Sequence, residues 1–259
     1  VLKLYPYPDH SATALVALRD LQASIELLQT ASHASNGSLS SFELLPRLGM
    51  QFACQHIPDC NDPFDHPYDW YVLLTLQGGG ATLGLDAMLQ TLLSLTLEKG
   101  IIVDAVVASN ETQAERLWRL RGGMVEAQRF EGGSIKHDIS VKVSLVPEFI
   151  QRAVDAVIDC LPGIRSCAFG HVGDGNIHFN LSQPPEMDAQ EYLSLQGEIN
   201  RIVLDIVDDL GGSFSAEHGI GMLKLEQMQR YKDPVSVDLM QSLKRTIDPD
   251  NLFNPGKVL

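Results

Sequence analysis

Gly170-His171-Val172-Gly173-Asp174-Gly175-Asn176-Ile177-His178-Phe179-Asn180 carries an Asp-Gly pair between two short strand-like runs. Asp-Gly is a preferred dipeptide for a two-residue type I′ hairpin turn, because both central residues need positive φ. A turn there pairs residue 173 with 176, 172 with 177, and 171 with 178. His171 and His178 then stand opposite each other with Cβ atoms ~5 Å apart. On one straight strand, residues seven apart would point to opposite faces, so the turn is what makes the pair. Asn180 lies on the face of His178, two residues along.

Two imidazoles at that separation can chelate a divalent ion: zinc first, with Mn, Fe or Co as imidazole-tolerant alternatives. The competing reading is two ordinary hydrogen-bonded strand histidines. Ser215-Ala216-Glu217-His218-Gly219-Ile220-Gly221 places a carboxylate beside a third His, again among glycines. His171, His178 and Glu217 make a three-ligand set with coordination positions left open, as catalytic metals need. His218 is left as an acid or base near neutral pH.

The chain has 259 residues, 44% of them hydrophobic and 20% charged, ordinary values for a globular protein with a sizeable core. A net charge of -14 argues against nucleic-acid and anionic-membrane partners and requires a local cationic pocket for any anionic substrate. No apolar run reaches the ~18 residues of a membrane span. Cys54, Cys60, Cys160 and Cys167 show no CxxC spacing, which points to a reducing compartment.

Val1–Tyr5 and Ala12–Leu18 read as strands, and Leu21–Leu28 as helix. Residues 32–41 read as a loop, Phe42–Leu45 as strand or helix, and Cys54–Tyr68 as a loop holding His56 and His66. Asp69–Gln77 is a strand with Trp70, Val72, Leu74 and Leu76 on one face. Gly78-Gly79-Gly80 reads as a connector, since the endings of phosphate loops are missing. Leu83–Leu97 is a helix, Ile101–Ala108 a strand, and Asn110 caps a helix over Glu111–Ala127. Ile135–Ser144 is a strand with Lys136, Asp138, Ser140 and Lys142 on one face. Pro147–Cys160, Met187–Leu210, Leu223–Tyr231 and Val235–Thr246 are helical, and Asp248–Leu259 is a turn-rich tail. Strands, helices and hairpins without βαβ repetition predict an α+β domain, a mainly antiparallel sheet with helices on one face.

GHVGDGNIHFN, SAEHGIG and the closing Asp248-Pro249-Asp250-Asn251-Leu252-Phe253-Asn254-Pro255-Gly256-Lys257 together resemble the C-terminal domain of FAD-linked 2-hydroxyacid dehydrogenases. That group includes D-lactate dehydrogenases, the glycolate oxidase flavoprotein subunit and D-2-hydroxyglutarate dehydrogenases. The resemblance covers residues 1–259 and implies a ferredoxin-like antiparallel sheet covered by helices. It implies FAD as cofactor, held by an N-terminal domain that this chain does not match, so the chain alone is expected to hold no flavin. It implies metal ligation by His171, His178 and Glu217, and His218 as the catalytic base. Arg121, Lys136 and Asn180 are implied to bind substrate, and Asn254 to lie by the flavin ring. The partners implied are a small 2-hydroxy acid and an electron acceptor, in the cytoplasm or the mitochondrial matrix. Lys142, His137 and Val125 depart from the family pattern, the last putting the substrate tail in doubt. The rival readings are a flavin-independent metal hydrolase or lyase and a non-catalytic acid-binding module.

Overall fold

The computed structural model describes residues 2, 8–78 and 84–259. The strand expected at Val1–Tyr5 and most of the triple-glycine connector lie outside them. Strands β1 (His10–Leu18), β2 (Leu39–Pro46), β3 (Trp70–Gly78) and β4 (Ile102–Val107) are interleaved with α1 (Ala23–Ala34), α2 (Arg47–His56) and α3 (Leu85–Glu98). Then come α4 (Glu111–Ala127), β5 (Ser134–Ser140), α5 (Val146–Cys160), β6 (Arg165–His171) and β7 (Asn176–Ser182). The chain closes with α6 (Ala189–Ser194), α7 (Gln196–Asp209), α8 (Leu225–Tyr231) and α9 (Pro234–Ile247). The seven strands among the described residues form one sheet in the order β4-β1-β3-β2-β6-β7-β5, and every neighbouring pair is antiparallel. Its first four strands have the 4-1-3-2 order of a β-α-β-β-α-β ferredoxin-like unit, with α2 inserted between β2 and β3.

The α+β expectation holds, but the helices cover both faces. Residues of α1, α3, α5 and α7 build the larger core with Val16, Val72, Leu74, Ile139 and Phe179. Residues of α2 and α4 build a second core on the opposite face with Leu15, Leu45, Leu73, Cys167 and Phe169. β3 alternates as expected, yet both of its sides are apolar, which is how a strand buried on two faces reads. Three further boundaries differ from the expectation. The segment 47–56 is helical, so His56 ends α2, and β2 starts at Leu39. The helix expected over Met187–Leu210 begins at Ala189 and breaks between α6 and α7 at Leu195.

α4 positions the site. The Asn110 side chain accepts a hydrogen bond from the Gln113 N–H at 3.0 Å, satisfying one open donor of the first turn. Leu117, Leu120, Met124 and Ala127 are buried at helical spacing against α2. Gly49 leaves room for that approach: a Cβ there would lie 2.5 Å from Met124 Sδ and force the Met124 side chain to shift. The adjoining stripe of α4, with Arg121 and Val125, then overhangs β6.

Candidate active site

The hairpin has a different register from the expected one. His171 pairs with Asn176, Gly170 with Ile177 and Phe169 with His178. A 3₁₀ turn over Val172–Asp174 and a left-handed Gly175 (φ 78°) replace the two-residue turn. Fully buried Val172 belongs to the larger core, which draws the turn inward. A Cβ on Gly175 would meet the Val141 carbonyl oxygen at 2.0 Å, so only glycine lets the turn dock there. The register moves by two residues, which keeps every side chain on its own face. His171 and His178 therefore remain neighbours, but diagonal ones, with ring centroids 5.7 Å apart.

The polar side chains of β5, β6 and β7 meet Arg121 and the loop after α7 around a cleft of about 420 Å³. Its walls include Arg121, Lys136, His171, His178, Asn180, Glu217 and His218, which are seven of the eight residues singled out in the sequence. Asn254 is not among them; it is exposed on the C-terminal turn with φ 50°.

His178 Nε2 lies 3.2 Å from Glu217 Oε1, and its ring stacks on that of His218 at 5.6 Å between centroids. Burial pushes the His178 pKa down, against the pull of Glu217, and so favours the neutral imidazole that ligates metals. Donor atoms of Asp138, His178, Glu217 and His218 all lie within 4.8 Å of one another. His171 is not in that group. Its Nδ1 is 2.6 Å from Glu43 Oε1, which leaves Nε2 as its remaining ligand atom. A carboxylate behind an imidazole is the usual orienting partner of a metal-bound His.

Arg121 is less open than a bare substrate cation. Its Nε donates to Glu43 Oε2 at 2.9 Å, and only 12% of its side chain is exposed. The guanidinium stacks over Phe169 at 4.7 Å. Lys136 is exposed at the cleft rim, whereas Asn180 is buried and donates to Gln128 Oε1 at 3.0 Å. Lys142 follows the end of β5 and so leaves the face assigned to it.

The sequence reading missed three residues. Glu43 bridges Arg121 and His171. Asp138 lies beneath the Glu217-His218 loop. Lys224 lines the cleft, its pKa lowered by burial against the pull of Asp138. One signal existed for Glu43, a lone carboxylate inside the apolar run Phe42–Leu45. Asp138 was noticed only as part of a polar strand face, and Lys224 had no signal.

Residues 7–258 match the family described as "FAD linked oxidases, C-terminal domain". The chain is 34% identical to the mitochondrial D-2-hydroxyglutarate dehydrogenase of Arabidopsis thaliana, over 95% of this chain and 42% of that protein. It is 32% identical to the mitochondrial D-2-hydroxyglutarate dehydrogenase of Rattus norvegicus, over 98% of this chain and 46% of that protein. It thus spans about half the length of the curated relatives it matches. Among solved structures, p-cresol methylhydroxylase with substrate bound shares the fold at a TM-score of 0.68 and 13% identity, over 98% of this chain and 53% of that one. No helix among the described residues is long and apolar enough to cross a membrane. With its site motifs set into this sheet, the chain belongs to the FAD-linked oxidase family and matches its C-terminal domain.

Proposed function

We propose that this chain is the substrate-binding part of an FAD-dependent, metal-assisted dehydrogenase that oxidises a D-2-hydroxy acid to the 2-oxo acid. The observation that carries the reading is the convergence of paired imidazoles, a carboxylate and cations on one cleft of an otherwise acidic protein. Relatives named as D-2-hydroxyglutarate dehydrogenases support the substrate class. When bound, a flavin takes up the Cα hydride for delivery to an electron acceptor, and a divalent ion acidifies the substrate hydroxyl. The donor set fits such an ion: a His178 kept neutral, Glu217 beside it, and His171 with one nitrogen held by Glu43. His171, His178 and Glu217 are the proposed ligands, with zinc as the proposed ion.

His218, whose side chain is 62% exposed beside Asp138 and Glu217, is the proposed acceptor of the hydroxyl proton. Arg121 keeps its terminal nitrogens for the substrate carboxylate while Nε holds Glu43. Lys136 adds a second cation at the rim, and Asn180 a polar contact on the floor. Asn254 is assigned to the flavin side from the sequence resemblance alone.

The test is turnover of D-2-hydroxy acids by the chain joined to a flavin-binding half. His218→Ala should lower kcat roughly 100- to 10,000-fold, the range for a lost acid–base group, without lowering the melting temperature. Turnover equal to the parent would overturn the assignment of His218. A parent inactive on every D-2-hydroxy acid tried would overturn the function.

A further inference from the structure

Asp138 sits in the middle of β5, opposite His178, and is only 3% exposed. A carboxylate buried there is costly unless donors meet its charge. Its Oδ2 accepts three successive backbone N–H groups, from Ala216 at 3.2 Å, Glu217 at 3.1 Å and His218 at 2.8 Å. Consecutive amides aimed at one anion form a nest, which requires a particular backbone conformation. Lys224 Nζ lies 3.9 Å from the same oxygen and donates to the Phe214 carbonyl at 3.2 Å and to Ser215 Oγ at 3.0 Å. Apart from the Ser140–Ser213 bridge, residues 213–224 contain no strand or helix that would otherwise hold them. Asp138 Oδ1 is buried with no hydrogen-bond partner among the described residues, so within the carboxylate the anchoring is done by Oδ2; the Asp138 backbone carbonyl shares only the Ala216 N–H, at 3.2 Å.

We propose that Asp138 is the positioning residue of this site: by gathering the amides of residues 216–218 onto Oδ2, it fixes where Glu217 and His218 project toward His178. The consequence for catalysis rests on the function proposed above; the anchoring itself rests on the geometry of the loop. Asp138→Ala removes the acceptor, whereas Asp138→Asn keeps one carbonyl oxygen that can still accept the amides.

The experiment reads three quantities. Amide hydrogen exchange of residues 216–218 and zinc affinity by chelator competition are measured on the full chain. kcat and KM are measured on the flavoenzyme containing it. In Asp138→Ala, exchange should accelerate roughly tenfold or more, as for loss of a charge-assisted hydrogen bond. Zinc affinity should fall about 10- to 100-fold, the range for a lost orienting partner, and kcat should fall with KM nearly unchanged. Asp138→Asn should recover most of the exchange protection and part of the zinc affinity.

Unchanged exchange in Asp138→Ala overturns the proposal. So does an Asp138→Asn that loses zinc as fully as Asp138→Ala while keeping its exchange protection, because that pattern belongs to a direct ligand. A lower melting temperature with parental kcat, KM and zinc affinity also overturns it, reducing Asp138 to fold stability. If the parent binds no zinc and oxidises no hydroxy acid, the proposed function fails, and the exchange data still decide the anchoring.

Discussion

On the sheet face covered by α2 and α4, β1 and β3 present Leu15, Ala17, Tyr71 and Leu73, all fully buried. On the same face, β5 and β7 present Asp138, His178 and Asn180. The first region is sealed by helix packing. The second is closed by a loop, by the Glu43–Arg121 ion pair, and by hydrogen bonds of Glu43 with His171 and of Asp138 with the amides of residues 216–218. Burial of Asp138, Glu43 and Asn180 is tolerable because each has hydrogen-bond partners. On this face, then, apolar packing is concentrated at the β1-β3 end and the polar cleft at the β6-β7-β5 end, so substitutions at the two ends should separate stability from metal binding.

The largest stability effect should come from the sealed end. Leu73 is fully buried in the core beneath α2 and α4, and Leu73→Ala should cost about 2–5 kcal/mol in denaturant unfolding, with metal binding per folded molecule unchanged. A loss of metal affinity in the folded protein would break the separation of the two ends.

Acid sensitivity should arise behind the site rather than in it. His137 is buried beside Phe179, and burial pushes its pKa down to about 4, with the Phe179 carbonyl at 2.9 Å from Nδ1 pulling the other way. Its folded pKa lies below its unfolded value, so the unfolded chain binds the extra proton. Stability should thus be unaffected above pH ~6.5 and decline as pH falls toward 4, by about 3 kcal/mol from this group. His137→Gln should flatten that limb in a pH series of urea melts; an unchanged limb would move the acid sensitivity to other groups.

Arg121 tests whether the polar end can be changed without unfolding. In the flavoenzyme, Arg121→Ala should remove a charge-assisted carboxylate contact of about 1.5–3 kcal/mol. That is roughly a 10- to 150-fold loss in kcat/KM at about 1.4 kcal/mol per tenfold, and Arg121→Lys should recover only part of it. The sequence alone predicts little change in stability, because it reads Arg121 as facing an open pocket. The contact with Glu43 adds a stability cost, since the substitution strips a buried carboxylate of its cation. Parental turnover with a large drop in melting temperature would make Arg121 a structural ion-pair partner only.

Local signals survived folding well. Asn110 caps α4 as read, β3 alternates as read, and seven site residues, five from two short motifs and two cations, meet in one cleft. What was not legible depends on tertiary context. The hairpin register was set by Val172 reaching the core and by Gly175 docking on the Val141 backbone. α2 went unread, and its Gly49 is explained only by Met124 of a helix about 75 residues later. Glu43 acquires its partners only because β2 lies beside β6, a pairing 128 residues apart in sequence for Glu43 and His171.

The central claim is that the polar end of the sheet holds a metal through the hairpin and the loop after α7. Metal content by elemental analysis, with parent and His178→Ala prepared without chelator, tests it most directly. The account predicts about one divalent ion per parent chain, as for a three-ligand set with an open position, and none in His178→Ala of parental melting temperature. Equal metal in the two proteins would contradict it.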